Sequence, residues 1–291
     1  MGHAEEITEP TLEIIELPAK IYVQALKEVI ESHFKTSQDN CEVKISAGSE
    51  KGDNYIGVLY RVNVKYLKDE LSIIVKLPPQ SLARREQFFA RSCFVRESEF
   101  YEKIFPRFLK FQEDKGIDVA INGFYHVAQC YKSLTDDPYE GLMLEDLKVC
   151  EFEMFDRFKE VTADHVNLVM KALGKFHAIS FAMKDQKPEL IEEYRSMQDI
   201  FFQRDDTSKE QIRIWFDMLK KQATDVLENC DNQDLVKRAR KVLEADFFEL
   251  LMSCIDGPAT EPYAVLCHGD CWNNNIMYRY EVSSFDKKDV E

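Results

Sequence analysis

Val265–Glu281 reads VLCHGDCWNNNIMYRYE, and the placement of its polar residues governs how the rest of the chain is read. Asp270 follows a His-Gly pair, and Asn275 lies five positions after Asp270. In phosphoryl transfer an aspartate orients or deprotonates the acceptor hydroxyl. An asparagine shortly downstream holds a metal ion on the ATP phosphates. Kinase catalytic loops use this offset as H-R-D-x-x-x-x-N; here it is H-G-D-x-x-x-x-N through His268, Gly269, Asp270 and Asn275. A polar turn braced by Asp and Asn side chains has a similar composition. Strand-like flanks on both sides favour a loop held between strands.

The bulk properties narrow the function classes. The chain has 291 residues, 45% of them hydrophobic and 31% charged, a globular balance with enough material for one large or two-lobed domain. A net charge of -15 argues against nucleic-acid binding by general electrostatics and against a polybasic membrane anchor. No apolar run is long enough to span a bilayer. The acidic start MGHAEEITEP has neither a signal-peptide layout nor a myristoylation site, because Glu6 stands where Ser or Thr is required. Eight cysteines are scattered singly, which fits reduced thiols and a cytoplasmic protein. Cys267, His268 and Cys271 cluster, but no second pair sits at zinc-site spacing.

Along the chain, residues 1–40 read as an acidic start and a helical extension, with Ile21, Leu26, Val29, Ile30 and Phe34 at helical spacing. Residues 41–148 read as a β-rich lobe: a hairpin over CEVKISAGSEKGDNYIGVLYRVNVKY, then the apolar run LSIIVKLPP, which predicts an antiparallel sheet. A helix is expected over 81–111, one or two strands over 119–131, a turn at DDPYE (136–140) and a short strand at GLMLEDL (141–147). Residues 149–291 read as a helical lobe. It includes a long helix over 164–185 with Val166, Val169, Met170, Leu173, Phe176 and Phe181 at apolar positions, and further helices over PELIEEYRSM and 208–254. After the DGPATEP loop (256–262), strand-like hydrophobicity resumes.

Three further features carry chemistry in that order. Lys76 ends an apolar strand, where a lysine reaches nucleotide phosphates in V-A-I-K strands; a strand-end lysine also keeps its head in water as a matter of course. Glu97 lies on the next helix, where a kinase needs a glutamate to pair with that lysine. Glu99 and Glu102 are neighbours, so spacing alone does not choose among them, and all three would suit a solvated face. The turn AGSEKGDNY (47–55) carries Gly48 and Gly52, whose backbone N–H groups could cover phosphates. It is a weak match to a Gly-rich loop, and an ordinary hairpin turn explains it as well. A Gly turn, a strand lysine, a helix glutamate, a second short strand, helices and then H-G-D-x-x-x-x-N is the layout of a two-lobed kinase.

HGDCWNNNIM resembles the signature H-G-D-x-W-x-N-N-x-M of the ecdysteroid-kinase-like (CHK-kinase-like) family, in the aminoglycoside/choline kinase group. The match runs through His268, Gly269, Asp270, Trp272, Asn274, Asn275 and Met277. GSEKGDNYIGVLYRV, VKLPP, ESEFYEKIFP, LMLEDL and LGKFHAIS are also similar to family segments, so the resemblance covers about residues 40–280. It implies an α+β, two-lobed protein-kinase-like fold with a small antiparallel-sheet N-lobe and a mainly helical C-lobe. The implied reaction moves the γ-phosphoryl group of ATP to a hydroxyl of a small molecule. Asp270 would be the catalytic base and Asn275 a Mg2+ ligand; Lys76 would hold the α/β-phosphates, paired with Glu97. Gly48, Gly52 and Asn54 would lie over the phosphates, and Leu144, Glu145, Asp146 and Leu147 near the adenine. Ecdysteroids are the implied acceptor class, with choline- or aminoglycoside-type acceptors as the alternative and a non-catalytic nucleotide- or ligand-binding protein as the rival from another class.

One departure stands out. The family follows its H-G-D loop with an Asp-Phe-Gln-like segment whose aspartate is the main magnesium ligand. After Asn275 the sequence offers IMYRYEVSSFDKKDVE; Asp286 and Asp289 sit in a polar, lysine-rich stretch that reads as a turn. The expectation is a C-lobe truncated before that ligand, with turnover by these 291 residues near background.

Overall fold

A computed structural model describes residues 16–49, 57–156, 158–195, 197, 199–200, 202 and 204–280. The described residues fall into two compact units. One comprises the described parts of 1–106, 126–163 and 269–291, the other 107–125 and 164–268.

The first unit is built on a five-stranded antiparallel sheet with strands β1 (Glu42–Ala47), β2 (Val58–Tyr66), β3 (Asp69–Leu77), β4 (Cys130–Leu134) and β5 (Gly141–Glu145) in the order β1-β2-β3-β5-β4. In β3 the residues Leu71, Ile73, Val75 and Leu77 are buried while those between them are half-buried. This period-two pattern sends the odd-numbered side chains to one face and Ser72, Ile74 and Lys76 to the other. Helix α1 (Lys20–Phe34) covers the first face: Tyr22, Ala25, Leu26, Val29 and Ile30 share a core with Val62, Val64, Ile73, Val75 and Met143. The helix stops where Lys35 turns into the left-handed region (φ 56) and gives its N–H to the Glu31 carbonyl.

After β3 the chain forms α2 (Leu82–Gln87), α3 (Ala90–Glu99), one π-helical turn (Phe100–Ile104) and α4 (Phe105–Asp114). The single helix expected over 81–111 is therefore broken, with Phe89 at φ 51 marking the α2–α3 corner. The last residue of DDPYE is also not turn surface. Glu140 is wholly buried, where Arg85 and Arg91 reach its carboxylate.

In the second unit, α5 (Ala163–Gln186), α6 (Asp206–Leu227), α7 (Gln233–Leu243) and α8 (Phe247–Ile255) are the main helices. Asp205, Asn232 and Asp246 cap α6, α7 and α8 by accepting N–H bonds from Ser208, Leu235 and Glu249. The buried side of α5 is Phe176, Ile179, Ser180 and Met183, with Phe176 against Phe108 and Phe124. Val166, Met170 and Phe181, expected on the packed face, are exposed.

Four local expectations are corrected. Residues 119–129 hold no strand, and 119–123 turn because Asp118 captures the following backbone. Its carboxylate accepts the N–H groups of Ala120 and Ile121, and its carbonyl those of Ile121, Asn122 and Gly123. PELIEEYRSM makes two short 3-10 turns, Pro188–Leu190 and Glu192–Tyr194, rather than a longer helix. The region after 151 opens on a two-residue strand β6 (Glu153–Met154), before α5. The segment before the His-Gly-Asp turn is not a strand either. Its backbone is taken by α5: Ser180 Oγ accepts Leu266 N–H at 3.1 Å, and Lys184 Nζ donates to the carbonyls of Pro262 and Ala264, each at 2.7 Å.

Candidate active site

Lys76 emerges from β3 on the face opposite the α1 core. Its ammonium donates to both carboxylate oxygens of Glu97, at 2.8 and 2.7 Å. Glu97 is in α3, and Phe94, one turn earlier on the same helix, is buried with its ring centroid 5.7 Å from Lys76 Nζ. The i, i+3 spacing lets one helix face present both a carboxylate and an aromatic surface to the same lysine. Both charged side chains keep about a third of their surface, 32% and 30%, so the pair is open to a further ligand. Of the glutamates that spacing left open, Glu99 pairs with Lys103 at 3.3 Å and Glu102 accepts from Ser133 Oγ.

Gly48 lies at the end of β1, its N–H donating to the Leu59 carbonyl at 2.8 Å. A Cβ there would sit 2.9 Å from the Leu59 backbone carbon, so the close approach of the two strands requires glycine. Gly52 and Asn54 lie outside the described residues.

Beyond β5, Asp146 is buried. Arg61 Nε donates to its Oδ2 at 2.6 Å and Ser72 Oγ to the same oxygen at 2.9 Å; the Lys148 N–H bonds Oδ1 at 3.2 Å. Burial alone would push this carboxyl up, but the Arg61 and Ser72 bonds outweigh it and hold it below its ordinary value. Asp146 thus fixes the start of the 3-10 turn Leu147–Cys150. Glu145 is half-buried, with its N–H on the Gln129 carbonyl at 2.8 Å and its Oε2 accepting Gln129 N–H at 3.1 Å. Leu147 is half-buried and its carbonyl accepts the Phe152 N–H at 3.1 Å.

The His-Gly-Asp turn depends on Gly269, whose φ of +82 suits glycine, with nothing within 4 Å of an added Cβ. Asp270 is exposed, and Asn273–Asn275 form one 3-10 turn behind it. Asn275 Nδ2 donates to both the carbonyl and the Oδ2 of Asp270, each at 2.9 Å. With the amide nitrogen engaged on Asp270, the other polar atom of the side chain is its carbonyl oxygen, the atom type that ligates Mg2+. Strand β7 (Met277–Tyr278) follows and pairs antiparallel with β6, Met154 opposite Met277. Arg279 lies over the Phe152 ring at 5.1 Å, and Phe155 meets Tyr278 edge-on at 6.4 Å. One flank of the loop is therefore a strand, as expected, and its partner strand is one that sequence reading missed.

Burial pushes the thiols of Cys267 and Cys271 up. Among the described residues, no group of three or more His, Cys, Asp or Glu side chains could hold a metal ion.

A family model described as the ecdysteroid kinase-like family matches residues 51–290. The chain belongs to the ecdysteroid kinase-like family. That family lies in the protein-kinase-like/choline kinase superfamily and is one of small-molecule kinases. The α+β architecture, with eight α-helices and the five-stranded sheet among the described residues, is consistent with a kinase-like fold. No curated protein and no solved structure gives a match.

Within this ecdysteroid kinase-like chain, the structure joins the sequence-derived residues into two pairs, Lys76 with Glu97 and Asp270 with Asn275. Sequence reading named neither Phe94 as the surface under Lys76 nor Glu140 as a buried charge. The i−3 position of Phe94 relative to Glu97 was the available signal for the first.

Proposed function

We propose that the protein is an ATP-dependent phosphotransferase acting on a hydroxyl of a small molecule, with an ecdysteroid-like compound as the leading acceptor class. The observation that carries this reading is the Lys76–Glu97 pair on a kinase-like sheet, in a chain that also bears the Asp270–Asn275 turn.

The residues present suit Mg·ATP. In this reading Lys76 binds the α/β-phosphates, and Glu97 sets the direction of its ammonium so that little rotamer freedom is lost on binding. Gly48 borders the phosphates, with its own N–H held by the Leu59 carbonyl. Glu145 and Leu147 border the adenine, with Asp146 holding that turn rigid from below. Asp270 orients the acceptor hydroxyl and takes its proton. Asn275 holds a magnesium ion through its amide oxygen, while its amide nitrogen keeps the Asp270 carboxylate in one rotamer. Bound Mg2+ neutralises charge that builds on the transferring phosphoryl oxygens.

A non-catalytic nucleotide-binding protein is the second reading. It is favoured by the sequence after Asn275, where Asp286 and Asp289 sit in a polar, lysine-rich stretch that does not read as a buried metal ligand. The net charge of -15 suits neither nucleic acid nor an anionic membrane as partner. No helix among the described residues is long and apolar enough to cross a membrane. The cysteines are all free thiols, which supports a cytoplasmic location.

The test is an acceptor screen with γ-labelled ATP and Mg2+, using ecdysteroids, choline and aminoglycosides, on the wild type and Asp270→Asn. Label on an ecdysteroid with the wild type alone supports the reading. Nucleotide binding with no acceptor labelled above the Asp270→Asn background would replace it with the non-catalytic one.

A further inference from the structure

Glu140 is the last residue before β5 and has no exposed surface. A charge placed there is costly unless it is fully paired. Two guanidiniums pair it: Arg85 Nη2 lies 2.5 Å from Oε2, and Arg91 Nη1 lies 2.5 Å from Oε1. Arg85 belongs to α2 and Arg91 to the first turn of α3, so a single carboxylate ties down both sides of the Phe88–Phe89 corner. Arg91 Nη1 also donates to the Thr135 carbonyl at 3.2 Å, and the Tyr22 hydroxyl donates to the backbone carbonyl of Glu140 at 3.3 Å. Two residues after Glu140, Leu142 pairs with Lys76 across the β3–β5 ladder. Six residues after Arg91, about 9 Å along the helix axis, comes Glu97. The strand carrying the partner of Lys76 and the helix carrying Glu97 are therefore both anchored at this carboxylate.

We infer that Glu140 is a positioning residue for the Lys76–Glu97 pair: its carboxylate, held between Arg85 and Arg91, fixes α3 against β5 so that Glu97 meets Lys76. This assignment rests on reading that pair as the phosphate anchor. It adds a role for a buried acid outside the Lys76–Glu97 pair itself. Losing the clamp leaves Lys76 and Glu97 in the sequence but frees the helix that brings them together.

The test compares Glu140→Gln, Arg91→Gln and Tyr22→Phe with the wild type. Tyr22→Phe removes only the hydroxyl on the Glu140 backbone. Amide hydrogen exchange over residues 90–99 reads the helix, and titration with Mg·ATP reads the pair. Glu140→Gln and Arg91→Gln should both speed exchange in that segment and weaken Mg·ATP by at least about fivefold, with Tyr22→Phe close to wild type on both. In a Glu97→Gln background, neither substitution should weaken Mg·ATP further, because the loss runs through the same pair. Arg91 is half-exposed, at 48%, so Arg91→Gln keeps the question open to measurement if Glu140→Gln fails to accumulate. Unchanged exchange over 90–99, or an undiminished effect in the Glu97→Gln background, overturns the assignment. If the wild type binds no Mg·ATP, the phosphate-anchor reading fails by itself, and the exchange data alone then decide whether Glu140 holds α3.

Discussion

Asn275 Nδ2 donates to Asp270 twice, to its backbone carbonyl and to Oδ2, each at 2.9 Å. The same contact holds the proposed base and leaves the Asn275 amide oxygen as the atom type that a metal ion takes. Asn275→Ala should therefore do two things at once: raise the Mg2+ concentration needed for nucleotide binding, and release the Asp270 side chain. Asn275→Asp keeps an oxygen for the metal but cannot donate to Asp270. Magnesium titrations of nucleotide binding should separate the two, with Asn275→Asp retaining more Mg2+ dependence than Asn275→Ala. Identical magnesium curves for both variants and the wild type would remove Asn275 from the metal role.

Lys76→Met should weaken nucleotide binding without unfolding the protein. The Lys76–Glu97 pair is about one-third exposed, and such pairs contribute only about 0–1 kcal/mol to stability. Thermal unfolding of Lys76→Met and Glu97→Gln should thus stay close to wild type, while Mg·ATP affinity falls about tenfold or more for Lys76→Met, a loss of about 1.4 kcal/mol. A large loss of stability with unchanged affinity would make the pair structural.

Asp146→Asn should show the opposite pattern. Its carboxylate is buried and holds Arg61, Ser72 and the Lys148 N–H together. Breaking a buried charge pair from one side costs about 3 kcal/mol or more. Chemical denaturation of Asp146→Asn should register a loss of that order. A loss within a few tenths of a kcal/mol would show that the network contributes little.

The same two buried acids set the acid limb of stability. Burial would raise the Glu140 carboxyl, but the hydrogen bonds from Arg85 and Arg91 outweigh it and bring it below its ordinary 4.5; Asp146 lies below its ordinary 3.8. A carboxyl lowered in the folded state contributes stability that is complete above the unfolded value. That contribution disappears as pH falls through the folded value. Unfolding free energy from these groups should be flat from neutral pH to about pH 5 and decline below it. Glu140→Gln and Asp146→Asn should lie below wild type at neutral pH and converge on it in acid. Curves that stay parallel down to the acid limb would contradict the sign.

The parts of the fold legible in the sequence are those where local pattern and burial agree. The apolar run LSIIVKL placed Lys76 at the end of a strand, and the burial pattern puts Val75 and Leu77 on one face with Lys76 between them. The spacing of Leu26, Val29 and Ile30 likewise marked the buried side of α1. The misread segments are those whose backbone partners come from distant side chains. Phe124 gives its N–H to Gln112 Oε1 and receives Gln112 Nε2 on its carbonyl. A side-chain amide does for it what a neighbouring strand would do, so the apolar run reads as strand without being one. Ser180 and Lys184 act similarly on 262–266. Glu140 was illegible for a related reason: its pairing needs Arg85 and Arg91, about fifty residues away, and DDPYE alone carries only turn chemistry. Gly52, Asn54, Asp286 and Asp289 fall outside the described residues.

In the proposed reaction Lys76 and Asp270 serve one nucleotide site in different ways, and calorimetric titration with Mg·ATP of the wild type, Lys76→Met and Asp270→Asn tests this most directly. The wild type should bind, Lys76→Met should bind about tenfold more weakly or worse, and Asp270→Asn should bind like the wild type. No binding by the wild type, or equal affinity for the wild type and Lys76→Met, would contradict it.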